Sequence, residues 1–395
     1  MLAYLADVTL FDGRARRARR GVLIEDDRIV WVGSHARAPR GARGAHELAR
    51  GLTVTPGLID AHVHLCFDGS ADFAAEAREM PSVAAATVKA VRNAAITLRH
   101  GVTTVRDLGG RGDAAIWVGR AVEAGRLPGP RILAAGQALT ITGGHGHNVA
   151  VAREVDGADE VRRAVREEIR AGASVIKLMA TGGVLTPGIT ADFTAFTSEE
   201  LRAAVEEAHA WGRAVAAHAI GPDGIVRAVE AGVDSIEHGT MLTPEGARLM
   251  KERGTYHVPT LSALLGMVEH PEEVPPYAVE KATALLDRAR EALRRSVRAG
   301  VRIACGTDAG TPFNPHGSTP LEIVRMVEWG VPVLAALRAA TSVAAELLRL
   351  PDVGVVRPGA VADLCVYEAD PLEDVRAVLA PVTVLRGGEP VGSTL

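Results

Sequence analysis

The sequence has few cysteines, few lysines and no long uncharged apolar run. Its three cysteines, Cys66, Cys305 and Cys365, are odd in number and far apart, which argues against a disulfide framework. A chain without disulfides suits a reducing compartment, so we expect a cytoplasmic protein.

Two further absences concern membranes and nucleic acids. No uncharged apolar run reaches the ~18 residues that a membrane-spanning helix needs. The N-terminus, MLAYLADVTLFDG, lacks the basic region and apolar core of a signal peptide. The net charge of −4 gives no basic footprint for nucleic acid. We therefore expect neither a membrane nor a nucleic acid as a partner.

Lysine is the third scarcity. Only four of the 44 basic residues are lysines: Lys89, Lys177, Lys251 and Lys281. Three of them lie in helix-like segments rich in alanine or charge, where arginine would serve as well. Lys177 instead ends a buried-looking strand in SVIKLMATGG, where an ammonium group without a partner is costly. This placement predicts a special role, against the alternative that the side chain reaches solvent or pairs with a neighbour.

The two ends of the chain share one pattern. Residues 1–56 contain short strand-like runs, and the EDD tip within RGVLIEDDRIVWVGS predicts a β-hairpin. Residues 353–395 are also strand-like and are interrupted by glycine and proline. Neither end shows a long amphipathic helix. We expect the two ends, residues 1–56 plus 353–395, to form one small β-sandwich domain.

Residues 57–352 alternate apolar strand-sized runs with helical segments such as DEVRRAVREEIRAGA and SEELRAAVEEAHAWG, which favours a parallel sheet covered by helices. The strand candidates are GLIDAHVHL, GVTTVRDLGG, RILAAGQALT, SVIKLMATGG, AVAAHAI, DSIEHGT, YHVPTLS and RIACGTDAG. Eight such repeats fit an α/β fold of the (β/α)8 TIM-barrel type, for which ~250 residues is typical. The competing architecture is an open doubly wound sheet, but no Gly-x-Gly-x-x-Gly turn follows an early strand.

Polar residues fall at the ends of the predicted strands, where barrels of this type carry their catalytic groups. His62 and His64 end the first strand and face the same side, because side chains alternate along a strand. The other polar strand ends are Lys177, His218, His238 and Asp308. Four histidines, one lysine and one aspartate have the composition of a two-metal hydrolytic site. The alternative to a ligand role for Asp308 is that it caps the helix that follows it. Isolated histidines are interpreted as surface or capping groups: His35, His46, His100, His209 and His270.

Several motifs carry a resemblance to known proteins. They are VTPGLIDAHVHL, GVTTVRDLGG, VIKLMATGG, VAAHA, AGVDSIEHGT and GTDAG. Together they resemble the metal-dependent amidohydrolase superfamily, and the resemblance covers nearly the whole chain. The stretches GGHGH, IKLMATGGVLTP and YHVPTL are similar, more narrowly, to its branch of Xaa-Pro dipeptidases and related carboxypeptidases.

The resemblance implies two divalent metal ions. It assigns one of them to His62, His64 and Asp308, and the other to His218 and His238. Zinc is the first expectation, and manganese, cobalt or iron also suit such nitrogen and oxygen ligands.

The resemblance also implies that Lys177 is modified by CO2 to N6-carboxylysine, a carbamate that bridges the two metals. A buried lysine tends to lose its proton, and the neutral amine is the form that attacks CO2. Arginine stays protonated and is unsuited to this chemistry.

The expected mechanism is attack by a metal-bridging hydroxide on an amide carbonyl that is polarised by the metal on His218 and His238. Asp308 would serve as a catalytic residue that passes the hydroxide proton to the leaving amine. Deamination is the nearest rival, but related deaminases generally place a glutamate three residues after the fifth-strand histidine. HAIGPDG has Gly221 there, and Glu237 is expected to point away from the site.

Loops are expected to select the substrate. TGGHGHNVA follows the third strand, and we predict that His145 and His147 bind substrate, with His145 bonding its carbonyl oxygen or terminal carboxylate. Surface positions are the alternative for both. Tyr256 is predicted to bond a substrate carboxylate, whereas His257 is expected to pack. His147 stands where related branches usually have an acidic residue.

These features predict a binuclear-metal hydrolase of a small amide, favouring a dipeptide or N-acyl amino acid with a free C-terminal carboxylate. A hydrolase of cyclic or xenobiotic amides of the ochratoxin class is the alternative. A non-enzymatic scaffold is disfavoured because all six ligand positions are filled. The resemblance implies a homo-oligomer.

Overall fold

The structure is a computed structural model that describes residues 2–149 and 151–392 of the 395-residue chain. Met1 and residues 393–395, which the predicted small domain includes, lie outside the described residues. So does Ala150, the last residue of the predicted substrate loop TGGHGHNVA.

The strands of the described residues are numbered in chain order. They are β1 (Leu2–Phe11), β2 (Arg16–Glu25), β3 (Arg28–Ser34), β4 (His46–Arg50), β5 (Thr53–Pro56), β6 (Leu58–Val63), β7 (Val102–Asp107), β8 (Arg131–Ala134), β9 (Ala138–Thr140), β10 (Ala152–Glu154), β11 (Val175–Met179), β12 (Ala214–Ala219), β13 (Ser235–His238), β14 (Tyr256–Val258), β15 (Leu364–Tyr367), β16 (Thr383–Arg386) and β17 (Glu389–Pro390).

The α-helices are numbered in the same way. They are α1 (Phe73–Arg78), α2 (Val83–Arg99), α3 (Ala114–Glu123), α4 (Ala158–Ala171), α5 (Ser198–Ala210), α6 (Pro222–Ala231), α7 (Pro244–Arg253), α8 (Leu261–Glu269), α9 (Pro276–Ala299), α10 (Thr319–Glu328), α11 (Val333–Ala339) and α12 (Ser342–Leu347). Short 3-10 helices cover His35–Arg37, Arg40–Arg43 and Val375–Leu379.

Strands from both ends of the chain form one sheet. Its order is β17-β16-β15-β5-β1-β2-β3, and β4 pairs with β1. The predicted hairpin is confirmed, because β2 and β3 pair antiparallel on either side of Asp26 and Asp27. The link between the two ends is the antiparallel pairing of β5 with β15. Buried apolar side chains, among them Leu5, Val54 and Leu364, form the core of this sheet.

The middle of the chain has a TIM-barrel-like α/β fold. Two parallel sheets have the orders β6-β7-β8 and β10-β9-β11-β12-β13-β14, and helices separate most successive strands. Backbone hydrogen bonds link the two sheets, on one side directly and on the other through the eighth candidate strand. The Ser174 N–H donates to the Ala134 carbonyl at 2.8 Å, and the Ala61 N–H donates to the Cys305 carbonyl at 2.8 Å.

Two predicted strands differ from the structure. The third candidate divides into β8 and β9 around Gly136, whose φ of +75° interrupts the extended chain. The eighth candidate has only isolated bridges, which pair Ile303 with His257 and Ala309 with Val63. Its extended run ends at Asp308, whose backbone is left-handed, with φ of +61°.

The two quoted helical segments are confirmed as α4 and α5. A capping box begins α5, in which the Thr197 hydroxyl accepts from the Glu200 N–H and the Glu200 carboxylate accepts from the Thr197 N–H. Gly172 ends α4 in the left-handed conformation, with φ of +116°. Among the described residues, no helix has both the length and the apolar character needed to cross a membrane.

Candidate metal centre and substrate cavity

A single cavity collects the polar groups at the carboxyl ends of the parallel strands. Its lining includes all the predicted metal ligands: His62, His64, Lys177, His218, His238 and Asp308. They come from β6 and the residue after it, from β11, β12 and β13, and from the eighth candidate strand. The structure thus brings the predicted ligand set to one place, as expected for the ends of neighbouring parallel strands.

Asp308 lies between the two histidines of the first strand. One of its carboxylate oxygens, Oδ1, is 3.2 Å from His62 Nε2 and 3.0 Å from His64 Nε2. The ligand atoms of His62, His238 and Asp308 all lie within 4.8 Å of one another. His218 is adjacent, since its ring centroid is 4.6 Å from that of His238. These groups have the spacing of ligands around cations.

Hydrogen bonds orient three of the four imidazoles through Nδ1. His62 Nδ1 donates to Glu237 at 2.9 Å, and His64 Nδ1 donates to the Gly109 carbonyl at 2.7 Å. His238 Nδ1 is bonded to the Thr260 hydroxyl at 2.7 Å. In each ring the second nitrogen, Nε2, is left to face the cavity, which is the arrangement of metal-binding histidines with an orienting partner.

His218 uses the opposite nitrogen. Its Nε2 donates to the Gly182 carbonyl at 2.7 Å, so the lone pair is on Nδ1. The carbonyl belongs to the loop after β11, and this loop therefore sets the orientation of His218.

Burial keeps most of these imidazoles neutral. It lowers the pKa of His62, His218 and His238 well below the ordinary value, and nearby positive groups lower it further. Burial acts in the same direction on the pKa of His64, but the Asp308 carboxylate outweighs it and raises that pKa. Neutral imidazole is the form that ligates a metal.

Lys177 is buried with no hydrogen-bond partner for its ammonium nitrogen among the described residues. Burial, the largest cause, lowers the pKa of Lys177 to about 8, and Arg106 also lowers it. The carboxylates of Glu237 and Asp308 act in the opposite direction. An orphaned amine at the centre of four imidazoles is out of place in a purely structural core, and it fits a site that is completed by cations and by modification of the amine.

Three residues at the cavity have left-handed backbone although none is a glycine. They are His238, Thr260 and Asp308, with φ of +68°, +49° and +61°. Thr260 is β-branched, for which a positive φ is a genuine outlier. Strain of this kind persists only where the surrounding structure enforces it, and it concentrates at functional sites.

Glu237 contacts the candidate ligand cluster, and the prediction of its orientation from the sequence is wrong. It was expected to point away from the site, but its carboxylate accepts from His62 and from Arg106, at 2.9 Å each, and from Ser235 at 2.5 Å. The cause is the left-handed backbone of His238, which breaks the alternation of side chains at the end of β13. The available signal was Arg106, a charged residue within the apolar run GVTTVRDLGG, because a buried arginine needs an acidic partner.

His145 reaches the cavity, and His147 does not. The His145 ring centroid is 4.5 Å from that of His218, and His145 Nδ1 is 2.8 Å from the Thr186 hydroxyl. The ring lies directly on Gly183, where an added Cβ would come within 2.3 Å of it. Burial lowers the pKa of His145 to about 3, so its ring is neutral. His147 is exposed and bonds the Gly144 carbonyl at 2.7 Å.

The structure does not bring Tyr256 to this cavity, contrary to the prediction. Tyr256 is the first residue of β14, at the end of the strand opposite to His238 and Thr260. Its hydroxyl accepts from Arg302 at 2.9 Å, and it lines a different cavity together with Arg14 and Arg349. His257 packs as expected, bonded to Ser296 and to the His238 carbonyl.

Apart from the polar cluster, the walls of the cavity are apolar. They include Phe73, Val149, Val151, Met179, Val184, Leu185, Ile220, Leu264 and Met267. Among the described residues of the lining, Lys177 is the only lysine or arginine. The cavity therefore has candidate metal ligands on one side and apolar side chains on the other. Among the described residues, the apolar side has no lysine or arginine that could pair with an anionic group of a substrate. The histidines interpreted as surface groups, His35, His46, His100, His209 and His270, are not among its lining.

Comparisons with known proteins give one consistent result. A model of the amidohydrolase family matches residues 53–391. An ochratoxinase from Aspergillus niger is 35% identical over 406 aligned positions, which cover 95% of this chain and 83% of the relative.

Three solved structures are similar over nearly the whole chain. A Xaa-Pro dipeptidase with methionine bound in its active site is 33% identical, with a TM-score of 0.90 and 99% of each chain covered. A prolidase in complex with N-methylphosphonate-L-proline is 35% identical, with the same score and the same coverage. The ochratoxinase of A. niger is 31% identical, with a TM-score of 0.90 over 98% of this chain and 95% of that one.

Proposed function

The chain belongs to the amidohydrolase family and is a hydrolase of amide bonds, and on that premise we propose that its substrates are small amides with apolar groups on both sides of the scissile bond. N-acyl derivatives of apolar amino acids and apolar dipeptides are the class we have in mind. The single observation that carries the substrate class is the apolar wall beside the ligand cluster, with Lys177 as its only lysine or arginine among the described residues.

Two divalent metal ions fit the residues present. We propose that His62, His64 and Asp308 hold one ion and that His218 and His238 hold the other, with zinc as the first choice. The neutral imidazoles, the orphaned amine and the close packing of ligand atoms support this assignment. When bound, the ions supply a water of lowered pKa and polarise the substrate carbonyl.

We further propose that Lys177 is carboxylated. Its neutral amine attacks CO2, which forms a carbamate and releases a proton, so the buried positive group becomes an anion with two oxygens. Burial without a partner favours the neutral amine that this reaction needs. The carbamate oxygens would offer two anionic ligand atoms to the ions.

Asp308 and His145 have separate roles in the proposed reaction. Asp308 accepts the proton of the attacking water and delivers it to the leaving amine, since an amide nitrogen must be protonated to depart. Its pKa supports the first part: burial raises it, but His62 and His64 outweigh burial and hold the pKa below the ordinary value. With the Thr186 hydroxyl donating to Nδ1, His145 presents Nε2–H to the substrate carbonyl oxygen.

A dipeptidase or carboxypeptidase that requires a free C-terminal carboxylate is the second candidate. The similarity to solved structures described as a Xaa-Pro dipeptidase and a prolidase favours it. The apolar wall and the likeness to an ochratoxinase favour the first. The two candidates share the metal chemistry and differ in whether the carboxylate of the substrate is recognised.

A matched pair of substrates separates the candidates. We expect enzyme loaded with zinc, manganese or cobalt to hydrolyse N-benzoyl-L-phenylalanine and its C-terminal amide with kcat/KM values within about tenfold of each other, because no ion pair is lost. Glycyl-L-aspartate, which is polar on both sides, should be a poor substrate. Hydrolysis of the free acid alone would establish the second candidate, and hydrolysis of neither would refute both.

The remaining assignments are also proposals. We propose that the hydrogen bonds between the two parallel sheets complete a closed eight-stranded barrel over residues 57–352, and that residues 1–56 plus 353–395 form a β-sandwich domain. The three free, buried cysteines support a reducing, cytoplasmic location. A homo-oligomer is proposed from the family resemblance, and light scattering after gel filtration tests it.

A further inference from the structure

The loop that follows β11 forms one wall of the cavity and contacts two of its histidines. The Gly182 carbonyl orients His218, the His145 ring lies on Gly183, and the Thr186 hydroxyl bonds His145. Val184 and Leu185 add apolar wall between these contacts. The position of residues 182–186 therefore fixes both the orientation of two imidazoles and the shape of the substrate cavity.

Few backbone hydrogen bonds within this loop hold residues 183–189 in place. The base of the loop is closed, because Thr181 bridges Thr194 and the Gly182 N–H donates to the Phe193 carbonyl at 2.7 Å. Beyond the base, carbonyl groups of the loop point toward α9 instead of toward a partner strand. The loop depends on α9 for its position.

Lys281 supplies most of that attachment. Its half-buried ammonium donates to the carbonyls of Thr186 and Ile189 at 2.7 Å each, and to the carbonyl of Gly183 at 3.3 Å. One turn earlier on α9, the Tyr277 hydroxyl donates to the Leu185 carbonyl at 3.2 Å. Among the described residues, Lys281 makes no salt bridge within 4.0 Å, so loop carbonyls satisfy its charge.

We propose that Lys281 is a positioning residue that determines substrate specificity, because its ammonium holds the loop 183–189 against the cavity. The inference rests on the proposed function for its kinetic consequence only. An ammonium is a compact group whose three N–H donors diverge, and it matches three carbonyls that converge on one point. The planar fork of arginine does not match them. This explains why one of four lysines is kept here, and it corrects the expectation that arginine would serve as well at Lys281.

The direct test measures the loop and does not depend on turnover. In Lys281→Met, amide hydrogen exchange followed by mass spectrometry should accelerate by about tenfold or more in residues 183–195, where the Phe193 and Ala195 N–H groups are hydrogen-bonded, because the loop opens once its bonds from a charged donor are lost. Exchange in β11 and the bound-metal content should stay unchanged. Lys251→Met is the matched control, since Lys251 is exposed on a different helix, and it should leave both quantities unchanged.

Restoring the ammonium distinguishes positioning from general damage. The three native thiols are buried, so Lys281→Cys can be alkylated selectively with 2-bromoethylamine, which forms a C–S bond, releases bromide and restores a lysine-like ammonium. We expect the alkylated protein to recover slow exchange in the loop, whereas Lys281→Arg does not. Tyr277→Phe, which loses a single bond to the loop, should show a smaller acceleration of exchange.

Kinetics then connects the loop to specificity. KM for N-benzoyl-L-phenylalanine should rise about tenfold in Lys281→Met and return after alkylation of Lys281→Cys, with a smaller change in kcat. Wild-type exchange rates in residues 183–195 of Lys281→Met would overturn the proposal, and so would a loosened loop with an unchanged KM. If the wild-type protein hydrolyses no amide, the proposed function fails while the exchange measurement still decides whether Lys281 holds the loop.

Discussion

The two ends of the parallel strands treat their polar groups in opposite ways. At the starts of the strands, buried polar groups form ion pairs and hydrogen bonds. Asp363 accepts from Arg131 at 3.2 Å and from Arg386 at 2.9 Å, and the Tyr256 hydroxyl accepts from Arg302. At the carboxyl ends, Lys177 has no partner among the described residues, and the imidazoles of His62 and His64 both contact one carboxylate oxygen of Asp308.

The difference shows which end of the strands lowers the stability of the protein. A paired, unstrained start contributes stability, whereas the other end combines an orphaned amine with three left-handed residues that are not glycine. Those features lower the stability of the protein, and the proposed cations and carboxylated lysine would offset that cost. Changes at the starts should therefore affect folding, and changes at the carboxyl ends should affect activity.

The largest effect is expected at Lys177. Lys177→Ala should lower kcat/KM by at least about a thousandfold, because the anion between the two ions is lost. The measurement pairs kinetics with metal content by mass spectrometry, and added formate or acetate, which also offers two oxygens, should restore part of the activity. Retained turnover with two bound metals would show that Lys177 is not a bridging ligand.

Asp363→Asn should have the largest effect on stability at the strand starts. It removes the buried charge that Arg131 and Arg386 share, which costs about 3–5 kcal/mol in comparable buried pairs. Denaturant unfolding gives the free energy, and kcat/KM per folded molecule should match the wild type. A loss of kcat/KM in the folded fraction would show that the starts of the strands affect activity as well as stability.

Glu237→Gln should lower metal affinity or activity by about 10–100-fold, the range found when a carboxylate behind a metal-binding histidine is removed. The reason is that Glu237 orients His62 through Nδ1. Isothermal titration with zinc measures the affinity. Glu168→Gln is the control, because Glu168 is also buried but contacts Gln137 and not the ligand cluster. Equal zinc affinity in both variants would show that Glu237 does not support a metal ligand.

The raised pKa of Glu168, which lies on α4, predicts that the stability of the protein depends on pH. Burial raises the pKa of Glu168 from 4.5 to about 7, so the folded state holds the proton more tightly than the unfolded state. Its contribution is therefore complete below pH 4.5 and is lost as pH rises through 7.

Comparison with the variant isolates that contribution. Between pH 5 and pH 8 the unfolding free energy of the wild type should fall by roughly 1–2 kcal/mol relative to that of Glu168→Gln. Parallel stability curves for the two proteins would contradict the assignment.

The smallest effect is expected for Tyr256→Phe. Loss of the bond from Arg302 should cost about 1 kcal/mol of stability. The kcat/KM should stay within about twofold of the wild type for substrates with a free carboxylate and without one. A selective loss on carboxylate substrates would mean that Tyr256 reaches the substrate after all.

The architecture and the set of candidate ligands could be predicted from the sequence because both follow from periodicity. Polar residues at the ends of buried parallel strands must converge, so His62, His218 and Asp308 could be placed together without coordinates. The rule of alternation failed where the backbone leaves the extended region. Because the backbone of His238 is left-handed, the rule wrongly predicted that Glu237 points away from the site, whereas Glu237 orients His62.

Two further features were beyond reach for different reasons. Tyr256 was misplaced because β14 has only three residues, so a shift of two positions moves a side chain from one end of the strand to the other. Contacts between distant segments, such as Lys281 with residues 183–189, have no local pattern at all. They depend on how α9 lies across a loop almost a hundred residues earlier.

The pairing of β5 with β15 has a consequence for synthesis on the ribosome. β5 ends at Pro56 and β15 begins at Leu364, so β5 keeps an open edge until all the residues between these two strands have been made. The newborn protein must therefore shield that edge from neighbouring chains while translation continues. Emergence of β15, which comes after the last candidate ligand, Asp308, is the event that covers the edge.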